Sequence, residues 1–193
     1  IVESTYGDRR HMENSTVERL ADLITRTAER GGVVVIPAFA VDRTEVVLFH
    51  LHHLHLTGRL PPVPIYLDSP MALDALKIYR NALADEAADI SREFWGRAGV
   101  LDLPALEEVV DTQGSKRVSR RNGSAVIIAG AGMASGGRVV HHLKSFLPDP
   151  RNSVALVGYQ AEGTRGRQLL EGTTSVKIHG QYVAVRAEVV LVE

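Results

Sequence analysis

The stretch Ser124-Ala125-Val126-Ile127-Ile128-Ala129-Gly130-Ala131-Gly132-Met133-Ala134-Ser135-Gly136-Gly137-Arg138-Val139-Val140 decides the fold. It opens with a nearly continuous apolar run, the pattern of a strand buried on both faces of a parallel sheet. A glycine-rich turn follows, and then a helix expected from about residue 136 to residue 146. The same order recurs on either side. Val33-Val34-Val35-Ile36, closed by Pro37, reads as another buried strand, as do residues 63–67 and 153–159. Helices are expected over residues 12–30, where Val17, Leu20, Leu23, Ile24 and Ala28 recur at helical spacing before Gly31-Gly32, and over 43–57, stopped by Gly58 and Pro61-Pro62. Residues 71–95 read as mostly helical, a short helix runs from Gly163 to about Leu170, and the chain from about residue 175 onward reads as strand. Residues 96–121 show no clear order, and their basic cluster Lys116-Arg117-Val118-Ser119-Arg120-Arg121 reads as a solvated loop with RNA contact as the alternative.

Strands alternating with helices predict an α/β fold: a Rossmann-like parallel, or mostly parallel, sheet with helices on both faces. Right-handed crossovers then bring every strand's C-terminal end to one edge, where ligands of open α/β sheets bind. Four loops should line it: residues 37–40, 68–71, 130–137 and 158–166.

Composition fits this reading. With 193 residues, 45% of them hydrophobic, the chain has material for one real core, and 23% charged residues argue against disorder. The net charge is −1, so any polyanion must meet locally concentrated positive charge. There is no cysteine, which excludes a disulfide framework, a thiol nucleophile and a Cys-ligated zinc site, and fits a cytoplasmic protein. No apolar run approaches the roughly 20 residues that span a bilayer, and no membrane partner is expected.

The loop at 130–137 has the chemistry of an anion cradle. Gly130, Gly132, Gly136 and Gly137 let backbone approach a ligand, the following helix offers unpaired N–H groups, Ser135 adds a hydroxyl and Arg138 a charge. It is neither a Walker A loop, since no Gly-Lys-Ser/Thr follows, nor the dinucleotide fingerprint, since Ser135 stands at the third glycine. A tight turn needing glycine for packing alone is the plain alternative. The loop at 158–166 repeats the pattern, with Thr164 as a helix cap or phosphate ligand. The tract His50-Leu51-His52-His53-Leu54-His55 suggests metal, but Leu51 and Leu54 are expected to face the core and leave the histidines outside. His141 and His142 are expected at the surface, and His179 is isolated.

Together the segments Glu3-Ser4-Thr5-Tyr6-Gly7-Asp8-Arg9, Pro37-Ala38-Phe39-Ala40-Val41-Asp42-Arg43-Thr44, Asp68-Ser69-Pro70-Met71-Ala72, Gly132-Met133-Ala134-Ser135-Gly136-Gly137 and Gly158-Tyr159-Gln160-Ala161-Glu162-Gly163-Thr164 resemble, in order and across nearly the whole chain, the β-CASP ribonucleases of the metallo-β-lactamase superfamily, a group that includes the cleavage-and-polyadenylation endonuclease and its bacterial and archaeal relatives. Asp42 departs from the pattern, standing where glycine is common. The resemblance implies a single β-CASP domain over residues 1–193, excised from a larger protein. It implies an RNA-processing function, with single-stranded RNA and the metallo-β-lactamase domain of the same parent chain as partners. Glu3 matches the acidic residue that supports a catalytic histidine, here outside the chain. RNA or its phosphates are expected at Ser4, Thr5, Tyr6, Phe39, Arg43, Asp68, Ser69, Met133, Ser135, Gly136, Gly137, Gln160, Gly163 and Thr164.

The resemblance also implies what is missing. The family's two zinc ions are held by the lactamase half, and no His-x-His-x-Asp-His segment is present, so no metal ligand or cofactor is expected in this chain and the chain alone is expected to be inactive. The face that meets the other half should be apolar, and a homodimer through it is a further expectation. Two other readings stay open: a noncatalytic assembly module, and a Rossmann-type domain binding a nucleotide or another small molecule.

Overall fold

The computed structural model describes residues 13–85 and 99–192, with Val2, Thr5 and Gly7; the side chains of residues 13–15 lie outside the description. The elements run α1 (Glu13–Glu29), β1 (Val33–Pro37), α2 (Arg43–Leu56), β2 (Ile65–Asp68), α3 (Pro70–Ala84), β3 (Leu106–Glu108), α4 (Thr112–Val118), β4 (Ala125–Ala129), α5 (Val139–Phe146), β5 (Ser153–Leu156), α6 (Arg165–Leu170), β6 (Ser175–Ile178), β7 (Gln181–Ala184) and β8 (Glu188–Leu191). Six strands form one sheet in the order β3-β2-β4-β1-β5-β8, every pairing in it parallel. The fold is α/β, as the alternating pattern predicts.

The apolar runs serve two cores because side chains alternate across a strand. Val34 and Ile36 of β1, with Val126 and Ile128 of β4, pack against α1, α2 and α3. Val33 and Val35, with Ile127 and Ala129, face the other way, onto α5, α6 and the β6–β7 hairpin. All five residues of β1 and of β4 are buried, so both strands need apolar side chains on both faces.

Three regions refine the sequence reading. Residues 96–121 supply the edge strand β3 and the short helix α4, whose N-cap Asp111 accepts from Gly114 N at 2.6 Å. Helix α3 ends at Ala84, and the rest of the helix expected there falls on residues 86–98, outside the described residues. The C-terminal region is three strands rather than one: β6 and β7 pair antiparallel about a turn at His179 and Gly180, with φ of 48° and 80°, and β8 then joins the main sheet beside β5. A two-residue turn of this kind wants positive φ at both positions, usually Asn-Gly or Asp-Gly, so His-Gly carries little signal.

The histidine tract lies on α2 with Leu51 and Leu54 fully buried and His53 and His55 exposed. The leucines, not the imidazoles, attach this helix to the sheet. Leu51→Ala is expected to destabilise the fold by about 2–5 kcal/mol, and His53→Ala to change stability by no more than about 0.5 kcal/mol, in denaturant titrations of the two variants.

Candidate functional site

In a parallel sheet all exits lie at one edge, and here they diverge. From β1 and β2 the chain leaves through α2 and α3, which pack on one face; from β4 and β5 it leaves through α5 and α6, on the other. Because β4 lies between β1 and β2, the loop at 130–137 emerges between two loops that turn the opposite way. Such a point of divergence opens a crevice beyond the strand ends.

The loops around this crevice are tied to one another. Ala38 N donates to Ala129 O at 3.0 Å, and Gly166 N to Met133 O at 2.9 Å. Gln160 Nε2 donates to Gly132 O at 3.1 Å and Gly158 O at 2.7 Å. Glycine is demanded by close approach: a Cβ at Gly137, where φ is +72°, would lie 2.3 Å from Gly130 O, and one at Gly166 would lie 1.7 Å from Gln160 Oε1. Three non-glycine residues among those described take positive φ, and all lie at or beside this edge: Asp42 (69°), Ala134 (54°) and His179 (48°). Asp42 explains the family's usual glycine at its position, since aspartate is among the few side chains that tolerate this region. Strained residues persist where surrounding structure holds them, most often at functional loops.

Beneath the crevice lies a charged knot. Asp68, at the end of β2, is fully buried; Oδ1 accepts from Arg138 Nη1 at 2.5 Å and Oδ2 lies 2.7 Å from His142 Nε2. Arg138 also donates to Val109 O at 3.0 Å, and Ser119 Oγ lies 2.9 Å from His142 Nδ1. Burial pushes the Asp68 carboxyl up, but hydrogen bonds from His142, Ser115 and Arg138, with the charge of His142, outweigh it and hold the group below the usual carboxylate range. Ser119, His142 and Asp68 are the residue types of a hydrolytic triad, yet His142 is fully buried and Ser119 does not line the cavity beside α4. Their geometry serves to fix β2, α4 and α5 together.

The expected site residues therefore separate into two groups. Facing outward at the edge are Phe39 (43% exposed, its ring against Gly132), the half-buried Arg43, the exposed Ser135 and Gly163, and Gly137 with its neighbour Gly136, where open space surrounds the Cα. Arg43 has no ion-pair partner among the described residues. Turned inward, and so placed differently from the expectation, are Asp68, Ser69 and Gln160: Ser69 caps α3, Gln160 bridges two loops, and Asp68 sits in the charged knot. Met133 presents its carbonyl to Gly166, and Thr164 spends its hydroxyl on Ala161 O (2.6 Å) and Arg167 N (3.2 Å), as a helix cap. Arg138 is not the free charge of the loop but the partner of Asp68, and His142, expected outside, is buried because it too meets that carboxylate. His179 is not isolated: its ring lies 4.6 Å from that of His141. Thr5 is exposed in a turn, while Glu3, Ser4 and Tyr6 lie outside the described residues.

One group had no sequence signal. Glu45, in the first turn of α2, is 4% exposed, and neither carboxylate oxygen has a hydrogen-bond partner among the described residues. Burial pushes its carboxyl up, against the nearby backbone amides of Glu45 and Asp42. Among the described residues no three His, Asp or Glu side chains come together as a metal site requires. Among them, too, no helix is long and apolar enough to cross a membrane.

Fold and edge together define a Rossmann-like domain that presents glycine-rich, anion-suited loops at a point of strand divergence. The Beta-Casp domain model matches residues 44–169, more than half of the chain, and the chain belongs to that family. A ribonuclease from Thermus thermophilus is 40% identical over 98% of this chain and 44% of its own length. The transcription termination factor FttA of Methanosarcina mazei is 32% identical over 94% of this chain and 29% of its own, and an RNase J-like protein of Methanocaldococcus jannaschii is 33% identical over 100% and 44%. The chain thus spans less than half the length of these relatives.

The two buried carboxylates should respond to pH and mutation with opposite sign. Asp68 is depressed, so its contribution is present above the unfolded pKa of about 4 and lost as pH falls through the folded value; Asp68→Asn should lower the melting temperature at pH 7 and leave a shallower acid-side loss of stability. Glu45 is raised, so at pH 7 its charge opposes folding, and that opposition fades as pH falls through its folded value. Glu45→Gln should raise the melting temperature at pH 7, and the gain should shrink toward pH 4 in calorimetry.

Proposed function

We propose that this chain is the RNA-holding half of a zinc-dependent ribonuclease, with the carboxyl edge of its sheet receiving the phosphates of single-stranded RNA. The observation that carries this reading is the convergence of four edge loops on one crevice, with Arg43 and the exposed backbone around Ser135 and Gly136 directed outward. Backbone N–H groups and an unpaired guanidinium suit a phosphate diester, whose recognition rests on charge and shape rather than base identity. The names borne by the Thermus, Methanosarcina and Methanocaldococcus relatives, two ribonucleases by name and a termination factor, support RNA as the polymer.

The rest of the reading concerns what lies beyond these residues. The chemistry of hydrolysis belongs to a metallo-β-lactamase domain of the same parent chain, which carries the two zinc ions, and residues 1–193 alone do not cut RNA. Glu3 acts from this half by supporting a histidine of the other. Phe39, Val41, Met71 and Val110 are 43%, 55%, 67% and 71% exposed at the ends of β1, β2 and β3, and such a group of apolar side chains suits a face that packs against that second domain or, in its absence, against a second copy. The protein works in the cytoplasm.

Fluorescence anisotropy of a labelled single-stranded RNA, titrated with this chain at several salt concentrations with zinc present, tests the reading. Affinity should fall steeply with salt, and Arg43→Ala should reduce the log–log slope by about 0.7, the value for losing one phosphate contact on a single strand. A gel of the same samples should show intact RNA. Salt-insensitive binding would refute the phosphate edge. Cleavage that survives repurification and disappears in Glu3→Gln would refute the division of labour. Absence of binding at any salt would favour the assembly-module reading.

A further inference from the structure

Beside the crevice, on the face carrying α5 and α6, an open pocket of about 450 Å³ lies between the glycine-rich loop and the turn of the β6–β7 hairpin, lined by Ser135, Gly136, His141, Arg165 and His179 among others. Its walls are unusual in three respects. Arg165 makes all its hydrogen bonds to neutral carbonyls: Nε and Nη2 donate to Lys177 O at 3.2 and 2.9 Å, and Nη1 donates to Ala134 O. No carboxylate among the described residues pairs with it, so its charge is uncompensated, whereas that of the neighbouring Arg138 is taken up by Asp68. His141 and His179 stand with ring centroids 4.6 Å apart and planes tilted by 39°, and neither has an ion-pair partner among the described residues. Finally, His179 occupies a left-handed position (φ 48°) in the hairpin turn, a region that non-glycine residues other than Asn, Asp and His seldom adopt.

We propose that this pocket is a phosphate-binding subsite in which His141 and His179 close on the anion and Arg165 supplies fixed positive charge behind them. The Arg165 bonds to Ala134 and Lys177 also join hairpin to loop, so the walls are set before a ligand arrives and little ordering is needed on binding. The pocket exceeds one phosphate, leaving room for what the phosphate is attached to.

His141 makes the site pH-dependent. Burial, then the neighbouring His179 and His142, hold the His141 imidazole below its ordinary value; Asp68 acts the other way and Lys144 adds to the depression. Arg165 and Arg138, which also line the pocket, add positive charge of the same sign. An anion hydrogen-bonded to His141 from the pocket side favours its protonated form, and by linkage affinity rises as pH falls.

The test is a titration of the full chain with inorganic phosphate, followed by NMR of the imidazole ring signals, His141 and His179 being assigned through His141→Gln and His179→Asn. The asparagine suits the left-handed turn, so that variant keeps the hairpin, and its melting temperature should match that of the parent. Both ring signals should shift saturably with phosphate; with sulfate, whose charge is constant over this range, binding should be about tenfold tighter at pH 5.5 than at pH 8, while chloride at matched ionic strength leaves the signals unmoved. His179→Asn should weaken the saturable phosphate binding. No saturable shift, an equal shift with chloride, or unaltered binding in His179→Asn would overturn the proposal. Single-stranded RNA that competes with phosphate for these signals identifies the anion as the RNA backbone. Phosphate binding without such competition upholds the subsite as one for a free phosphate and counts only against the RNA reading of the edge.

Discussion

Asp68 ends a strand that is covered on both faces, and a carboxylate in that position must be paired or lose its charge. Its two oxygens are met by Arg138 and His142, both from the region where the glycine-rich loop becomes α5, and by Ser115 of α4. Arg138 reaches on to the backbone after β3, and His142 to Ser119 at the end of α4. A single buried charge thus fixes the end of β2, the exit of β3 and the start of α5 relative to one another. The glycine-rich loop, which connects β4 to α5, inherits its path from that arrangement. Breaking one partner would leave a charge in the interior, and for this reason the knot is a constraint on geometry more than a source of net stability.

The loops above the knot are rigid through close backbone contact. Glycines allow carbonyls of one loop to stand where a side chain of another would be, and Ala134 and Asp42 are held in the left-handed region by their surroundings. Several loop N–H groups are spent on carbonyls of the same or neighbouring loops, as Ala131 N on Gly136 O and Gly166 N on Met133 O, which ties the loops together.

Overall charge is close to neutral, so attraction for a polyanion must come from how the cations are spent. Arg26 and Arg30 are bound to Glu188, Arg59 to Glu18, Arg80 to Asp102 and Glu108, and Arg138 to Asp68. Arg43 and Arg165, at the first turns of α2 and α6, have no such partner among the described residues. Two of the cations without a carboxylate partner among the described residues thus lie at the edge where the loops converge. Glu45, buried close by and without a partner among the described residues, is the opposite case: an acid whose carboxyl burial pushes up.

The amino-acid pattern by itself determined the sheet and its direction. Val33–Pro37 and Ala125–Ala129 are apolar at every position or nearly so, which only a strand covered on both faces requires, and the alternation with helices then forces parallel pairing and a shared edge. The glycine loops were legible for the same local reason. What the tertiary structure alone decided is which polar residues face out. Asp68, Ser69 and Gln160 belong to the same motifs as Phe39, Arg43 and Ser135, but their partners are distant in the chain: Arg138 is 70 residues from Asp68 and His142 is 74. The meeting of His141 with His179 likewise depends on a hairpin turn with weak local signal and on Arg165 drawing that hairpin to the loop. Periodicity records whether a residue meets water or core; it does not record which distant group a buried charge will find, because that is set by packing between elements rather than within them.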